Sequence, residues 1–166
     1  MIVHATCVAL GSGGGWRGIL LRGPSGAGKS DLALRAIEAG GRLVADDQTH
    51  LAVQGNGKAR RLVAAPPPVL AGLVEARGLG IVKLGRTQLL ARVPLGLLVD
   101  LVPSTKVERL PDPAHEAILG VTLPVVALAA FEASAVAGTP DELAKFLRSE
   151  STRWAAIIKA VGVKGE

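Results

Sequence analysis

Hydrophobic positions in the first half of the chain fall into short runs separated by glycine. Apolar residues dominate 2–10, Gly11-Ser12-Gly13-Gly14-Gly15 interrupts them, and Gly18-Ile19-Leu20-Leu21-Arg22 follows. Runs of this length bounded by turn residues read as buried strands, and the glycine break between them predicts a hairpin. The spacing then changes: apolar residues recur at helical intervals across 31–39, and Gly40-Gly41 stops them, which predicts a helix with a glycine C-terminus. A short apolar run at 42–45 ends in Asp46-Asp47, and the runs 51–54 and 58–64 flank Gly55-Asn56-Gly57 as a second hairpin that Pro66-Pro67-Pro68 ends. Beyond lie a glycine-punctuated segment at 74–84, a strand at 97–102, a loop through Pro113 and a strand at 125–129. Towards the end Thr139 suits an N-cap, Pro140 the first helical position, and Asp141 and Glu142 the positive helix end. A helix to about residue 147 is expected, with 153–161 continuing or restarting it and Trp154, Ile157, Ile158 and Val161 on one face. The pattern predicts an α/β fold in which a sheet is flanked by helices.

The junction between the second strand and the first helix carries the chemistry. Gly23, Pro24, Ser25, Gly26, Ala27, Gly28, Lys29 and Ser30 make a complete G-x-x-x-x-G-K-S sequence. In such a loop the glycines let backbone N–H groups turn around phosphate oxygens. The lysine adds a point charge near the β- and γ-phosphates, and the serine hydroxyl is a hard ligand for Mg²⁺. With 21 glycines in the chain the motif needs context. Strand, loop, helix and glycine stop occur in the order a phosphate site at a helix N-terminus requires. ATP and Mg²⁺ are the implied ligands.

Composition narrows the class. A chain of 166 residues with 49% hydrophobic content is expected to form one domain over 1–166 with one packed core. Aromatic residues are only 2%, which removes the stacking platforms of single-strand binders, so nucleic acid is not expected as a partner. The formal charge of +5 is spread along the chain and serves either an anionic ligand or ordinary solubility. The single cysteine, Cys7, lies in an apolar run and reads as a buried structural thiol. No apolar stretch has the length of a membrane span and no signal-peptide pattern opens the chain, so a soluble cytoplasmic protein is expected.

Asp46 and Asp47 follow Lys29 after one short helix and one short strand. If the 42–45 strand runs parallel to the strand before the loop, both strand ends share one sheet edge and the aspartates face the phosphates. Neighbouring side chains on extended backbone point opposite ways, so one carboxylate would face the site and the other would orient or support from outside. A carboxylate there can accept a proton from an attacking hydroxyl. A strand-end turn or helix cap is the alternative use of the same residues.

The loop, Arg42-Leu43-Val44-Ala45-Asp46-Asp47 and Val74-Glu75-Ala76-Arg77-Gly78-Leu79-Gly80-Ile81 occur in the order seen in the catalytic domain of the bacterial HPr kinase/phosphorylase family. The chain resembles that family over 3–109. The resemblance implies the family's P-loop-containing mixed sheet with flanking helices, and residue roles where the motifs match. Lys29 and Ser30 match the phosphate lysine and the Mg²⁺ serine, Asp47 the proton acceptor for a seryl hydroxyl, and Glu75 a second metal-linked position. His4 resembles the family's active-site histidine or is a satisfied core histidine. Arg109, in Glu108-Arg109-Leu110, resembles a catalytic arginine or is a surface loop residue. The implied activity is ATP-dependent phosphorylation of a serine on the carrier protein HPr by a ring-like homo-oligomer, a hexamer by family resemblance. The chain reads as a short proteobacterial form without the N-terminal domain of many members. The family's P-G-R-N-type segment has no match around 123–131, so kinase activity is expected over phosphorolysis. A small-molecule kinase and a nucleotide-sensing module without catalysis are the competing readings, because the loop and carboxylate serve any hydroxyl acceptor.

Overall fold

The computed structural model describes residues 1–12, 15–76, 80–109 and 111–130, and the C-terminal helices expected from the sequence lie outside them. Strands β1 (Ile2–His4), β2 (Thr6–Ser12) and β3 (Gly15–Arg22) precede helix α1 (Lys29–Glu38). Then come β4 (Arg42–Ala45), β5 (Gln48–Gln54), β6 (Arg61–Ala65), β7 (Leu73–Ala76), β8 (Gly80–Lys83), β9 (Val93–Val102), β10 (Ala114–Ile118) and β11 (Val121–Ala129). Nine strands form one sheet in the order β1-β5-β6-β9-β3-β2-β4, with β11 also joined to β9 and β10 to β11, and β7 and β8 form a separate antiparallel pair.

The sheet is mixed and turns on β9. This strand runs parallel to β3 on one side. On the other its first residues, Val93 and Pro94, pair antiparallel with β6, while 98–102 pair parallel with β11. The β3 register advances from Gly18↔Leu95 to Ile19↔Leu97, leaving Gly96 as the bulged residue. The Val93 and Leu95 side chains fill the space over Gly18, where a Cβ would lie 2.5 Å from Val93 Cγ1. Leu20, Leu43, Leu62 and Leu98 are fully buried, so the apolar runs read from the sequence form the core.

Three local outcomes differ from the sequence expectation. The first apolar run is two strands: β2 pairs with β3 as the expected hairpin, whereas β1 swings away to pair with β5. The break at Ala5 is held by its N–H donating to Asp47 O at 3.1 Å and by Thr49 Oγ1 donating to Ala5 O at 2.8 Å. Strand β4 does run in the direction of β3, but as a second neighbour, because both are antiparallel to the intervening β2. The loop expected through Pro113 ends in strand β10, which the sequence reading lacks. Its hairpin with β11 turns at Leu119 (φ 51) and Gly120 (φ 74), where leucine takes the first left-handed position usually filled by Asn, Asp or Gly.

Helix α1 begins two residues earlier than the hydrophobic spacing indicates, inside the glycine motif. Lys29, Leu32, Ala33 and Ile37 make its buried face, and Asp31 and Arg35 form an i,i+4 ion pair of 2.9 Å on its outer side. Gly40 (φ 93) ends it, with Gly40 and Gly41 N–H groups donating to Ile37 O and Ala36 O.

Candidate functional site

The loop between β3 and α1 closes over a buried lysine. Gly28 stands at the N-cap with φ 89 and no side-chain cap, so no side chain occupies the first-turn donors of α1. At the other end of the loop Gly23 (φ 148) leaves β3 where a Cβ would meet Leu101 O at 2.9 Å. Lys29 Nζ donates to Gly23 O at 2.8 Å and to Pro24 O at 2.9 Å, placing a cation against the loop backbone. Burial pushes the Lys29 pKa down, opposed by the charges of Asp47 and Asp46.

The two aspartates at the end of β4 have different environments. Asp46 is 4% exposed and accepts three kinds of donor. Thr6 Oγ1 reaches Asp46 Oδ1 at 2.7 Å, and Ser30 Oγ lies 2.9 and 3.1 Å from Oδ1 and Oδ2. The Glu75 N–H reaches Asp46 Oδ2 at 3.0 Å. Asp47 is solvent-facing, and His4 Nδ1 stands 3.0 Å from Asp47 Oδ1 with both side chains 56% exposed. What separates the carboxylates is a turn rather than extended backbone. Gln48 N–H donates to Asp46 O at 2.7 Å across Asp47, whose φ is 63. This is the reach of a γ-turn, a strained conformation of the kind concentrated at functional sites.

The sequence-derived residues therefore fall into two groups. Loop residues 23–30, Asp47 and His4 come together at one end of β1, β3 and β4, and Glu75 joins them on β7 through its backbone N–H to Asp46. Arg109 is exposed beyond β9 and makes no hydrogen bond or ion pair among the described residues. Thr6 escaped the sequence reading, and Asp46 was placed at the site only as one member of a pair. Asp46 was visible as half of an Asp pair, but nothing in the sequence distinguishes the buried member from the exposed one. Thr6 looked like one more residue of a buried strand.

Beneath the loop, Arg22 ties three strands. Its Nε and Nη2 donate to Asp100 at 2.7 and 2.9 Å, and its Nη1 and Nη2 donate to Glu116 at 2.8 and 2.7 Å. The hydrogen bonds to Glu116, against burial and with the help of Asp100, raise the arginine's pKa, and the same hydrogen bonds hold the Glu116 carboxyl below its usual range.

Among the described residues no set of three or more His, Cys, Asp and Glu side chains could hold a metal ion alone. The Ser30 hydroxyl beside the Asp46 carboxylate is a hard-oxygen pair compatible with Mg²⁺, which binds through one or two protein groups and substrate phosphates while keeping several waters. Among the described residues no helix is long and apolar enough to cross a membrane.

Sheet, helix and loop define an α/β domain with a G-x-x-x-x-G-K-S loop at the end of an interior strand of a mixed sheet. The chain belongs to the HPr Serine kinase C-terminal domain family, whose model matches residues 2–152. It is 39% identical over 95 residues to an HPr kinase/phosphorylase of Shouchella clausii, covering 54% of this chain and 30% of that protein. An HPr kinase/phosphorylase of Bordetella petrii is 41% identical over 101 residues, covering 57% of this chain and 32% of that protein. The chain thus spans about a third of the length of these relatives. The structure of the HPr(Ser) kinase/phosphatase from Coxiella burnetii superposes with a TM-score of 0.66 over 96% of both chains at 23% identity, a likeness of fold.

Proposed function

We propose that this chain is the catalytic domain of an ATP-dependent protein-serine kinase that phosphorylates the carrier protein HPr. The observation that carries the reading is the division of labour in Asp46-Asp47: one carboxylate buried on the loop serine, the other exposed beside His4 and 3.0 Å from its Nδ1. The backbone of 23–30 and Lys29 hold the nucleotide phosphates, and Ser30 and Glu75 are the ligands assigned to Mg²⁺. Bound there, Mg²⁺ supplies neutralising charge on the phosphate oxygens during transfer.

Asp47 takes the proton of the incoming seryl hydroxyl, for which its exposure is needed, and His4 holds the Asp47 carboxylate in orientation. Lys29 exchanges its loop carbonyl partners for phosphate oxygens, a gain in favourable charge for a buried ammonium. Arg109 is assigned to the transferring phosphoryl group, whose developing charge a guanidinium would stabilise. Transfer to serine is preferred over phosphorolysis because no P-G-R-N-type segment follows β10. The rest of the proposal is a single catalytic domain over 1–166, a cytoplasmic location where ATP is available, and a homo-oligomer, hexameric as the family resemblance implies.

The test is intact-mass analysis of purified HPr after incubation with this protein, Mg²⁺ and ATP, beside an Asp47→Asn control. One phosphate on a serine, absent in the control, is expected. ATP binding without transfer to HPr would redirect the assignment to another hydroxyl acceptor or to a nucleotide sensor.

A further inference from the structure

Thr6 has no place in the mechanism above, yet it is a hydroxyl at 0% exposure in a strand of apolar residues. Valine has the same shape and would leave no polar atom to satisfy, so a hydroxyl here is a cost unless its hydrogen bond serves a purpose. The bond it makes is to Asp46 Oδ1 at 2.7 Å. The strand pairings explain how Thr6 gets there. It is paired with Leu21 on β3, two residues before the loop, and the neighbouring Cys7 is paired with Ala45, the last residue of β4. Thr6 therefore sits between the end of the strand that feeds the loop and the end of the strand that delivers Asp46.

The contacts of Asp46 define an order. Oδ1 is held by Thr6 and Oδ2 by the Glu75 N–H, so the plane of the carboxylate is set from two elements, and Ser30 Oγ lies within reach of both oxygens. A hydroxyl has one proton and two lone pairs. When Ser30 gives its proton to Asp46, its lone pairs are turned away from the carboxylate and are free for a hard cation.

We propose that Thr6 is a positioning residue for the divalent cation: its hydroxyl fixes Asp46, and Asp46 fixes the proton of Ser30 so that the serine oxygen presents lone pairs to Mg²⁺. This rests on the nucleotide-binding reading of the loop and adds to it a residue outside every motif. A group bonded directly to a metal ligand, as Asp46 is to Ser30, changes metal affinity by about 10- to 100-fold when removed, and Thr6 acts one hydrogen bond further out.

The experiment is calorimetric titration of ATP into the full chain at stepped Mg²⁺ concentrations and in EDTA, with thermal melting alongside, for the unaltered protein, Thr6→Val, Thr6→Ser and Asp46→Asn. The expected result for Thr6→Val is a rise of up to about 10-fold in the Mg²⁺ needed for half-maximal tightening of ATP binding, the low end of the effect expected for Asp46 itself. Affinity in EDTA should be unchanged, and Thr6→Ser should restore the Mg²⁺ dependence. Asp46→Asn should reproduce the defect, which keeps the idea testable if Thr6→Val does not fold. An unaltered Mg²⁺ requirement in Thr6→Val would overturn the proposal. So would parallel loss of affinity with and without Mg²⁺ accompanied by a lower melting temperature, since that is the signature of a packing role. If the unaltered chain shows no Mg²⁺-dependent ATP binding, the nucleotide reading itself fails and this inference falls with it.

Discussion

His4 Nδ1 lies 3.0 Å from Asp47 Oδ1, joining the last residue of the first strand to a γ-turn that lies 43 positions further along the chain. Both groups are solvent-facing, which suits the proposed encounter with an incoming hydroxyl better than the bracing of a core. Asp47→Asn keeps the shape and removes the carboxylate proposed as proton acceptor. Phosphoryl transfer should fall by about 10²- to 10⁴-fold, while ATP affinity stays near that of the unaltered protein. His4→Gln, which perturbs only the orientation of the carboxylate, should cost less. Single-turnover rates and nucleotide titration on the same preparations check both.

Lys29 separates function from stability. Burial lowers its pKa, so the charged form is disfavoured in the fold and regains favour through the neighbouring carboxylates and the carbonyls of Gly23 and Pro24. Replacing it with methionine removes the desolvated charge along with those hydrogen bonds. Turnover should drop by about 10²- to 10³-fold with little change in melting temperature. A large loss of stability with turnover preserved would contradict the assignment.

Arg22 has the opposite character. Its guanidinium bridges Asp100 on β9 and Glu116 on β10 directly before the loop begins. Arg22→Met leaves two carboxylates facing each other without a cation. All three groups retain solvent contact, so a destabilisation of about 1–2 kcal/mol is expected rather than the larger loss seen for fully buried pairs. Urea denaturation measures this, and ATP affinity should weaken as well if the ion pairs steady the base of the loop.

The same cluster predicts an acid dependence. The Glu116 pKa lies lower in the folded protein, chiefly through its hydrogen bonds to Arg22. A carboxyl with a lowered folded pKa contributes stability that is complete above its unfolded value of about 4.3 and is lost as pH falls through the folded value. Glu116→Gln should therefore be less stable than the unaltered protein at neutral pH, and the difference should shrink as pH falls through the folded Glu116 value. Urea midpoints of the two proteins across that range test the sign.

The sequence alone determined the elements whose signals are local. The Gly23 to Ser30 loop, the helix after it, the strand at 42–45 and the hairpin across Gly55-Asn56-Gly57 were legible because glycine placement and apolar spacing are properties of a few consecutive residues. Strand β10 was not, because its turn uses Leu119 in a left-handed conformation that leucine does not advertise. The partition of the first apolar run into β1 and β2 was also hidden. It depends on hydrogen bonds from Ala5 to Asp47 and from Thr49 to Ala5, both more than 40 residues apart in the chain. Tertiary structure alone decided which aspartate meets the loop serine and which meets His4. That choice is made by the γ-turn at Asp47 and by the two strands and the helix that bring Thr6, Glu75 and Ser30 around Asp46, and two adjacent residues of one type carry no mark of it in the sequence.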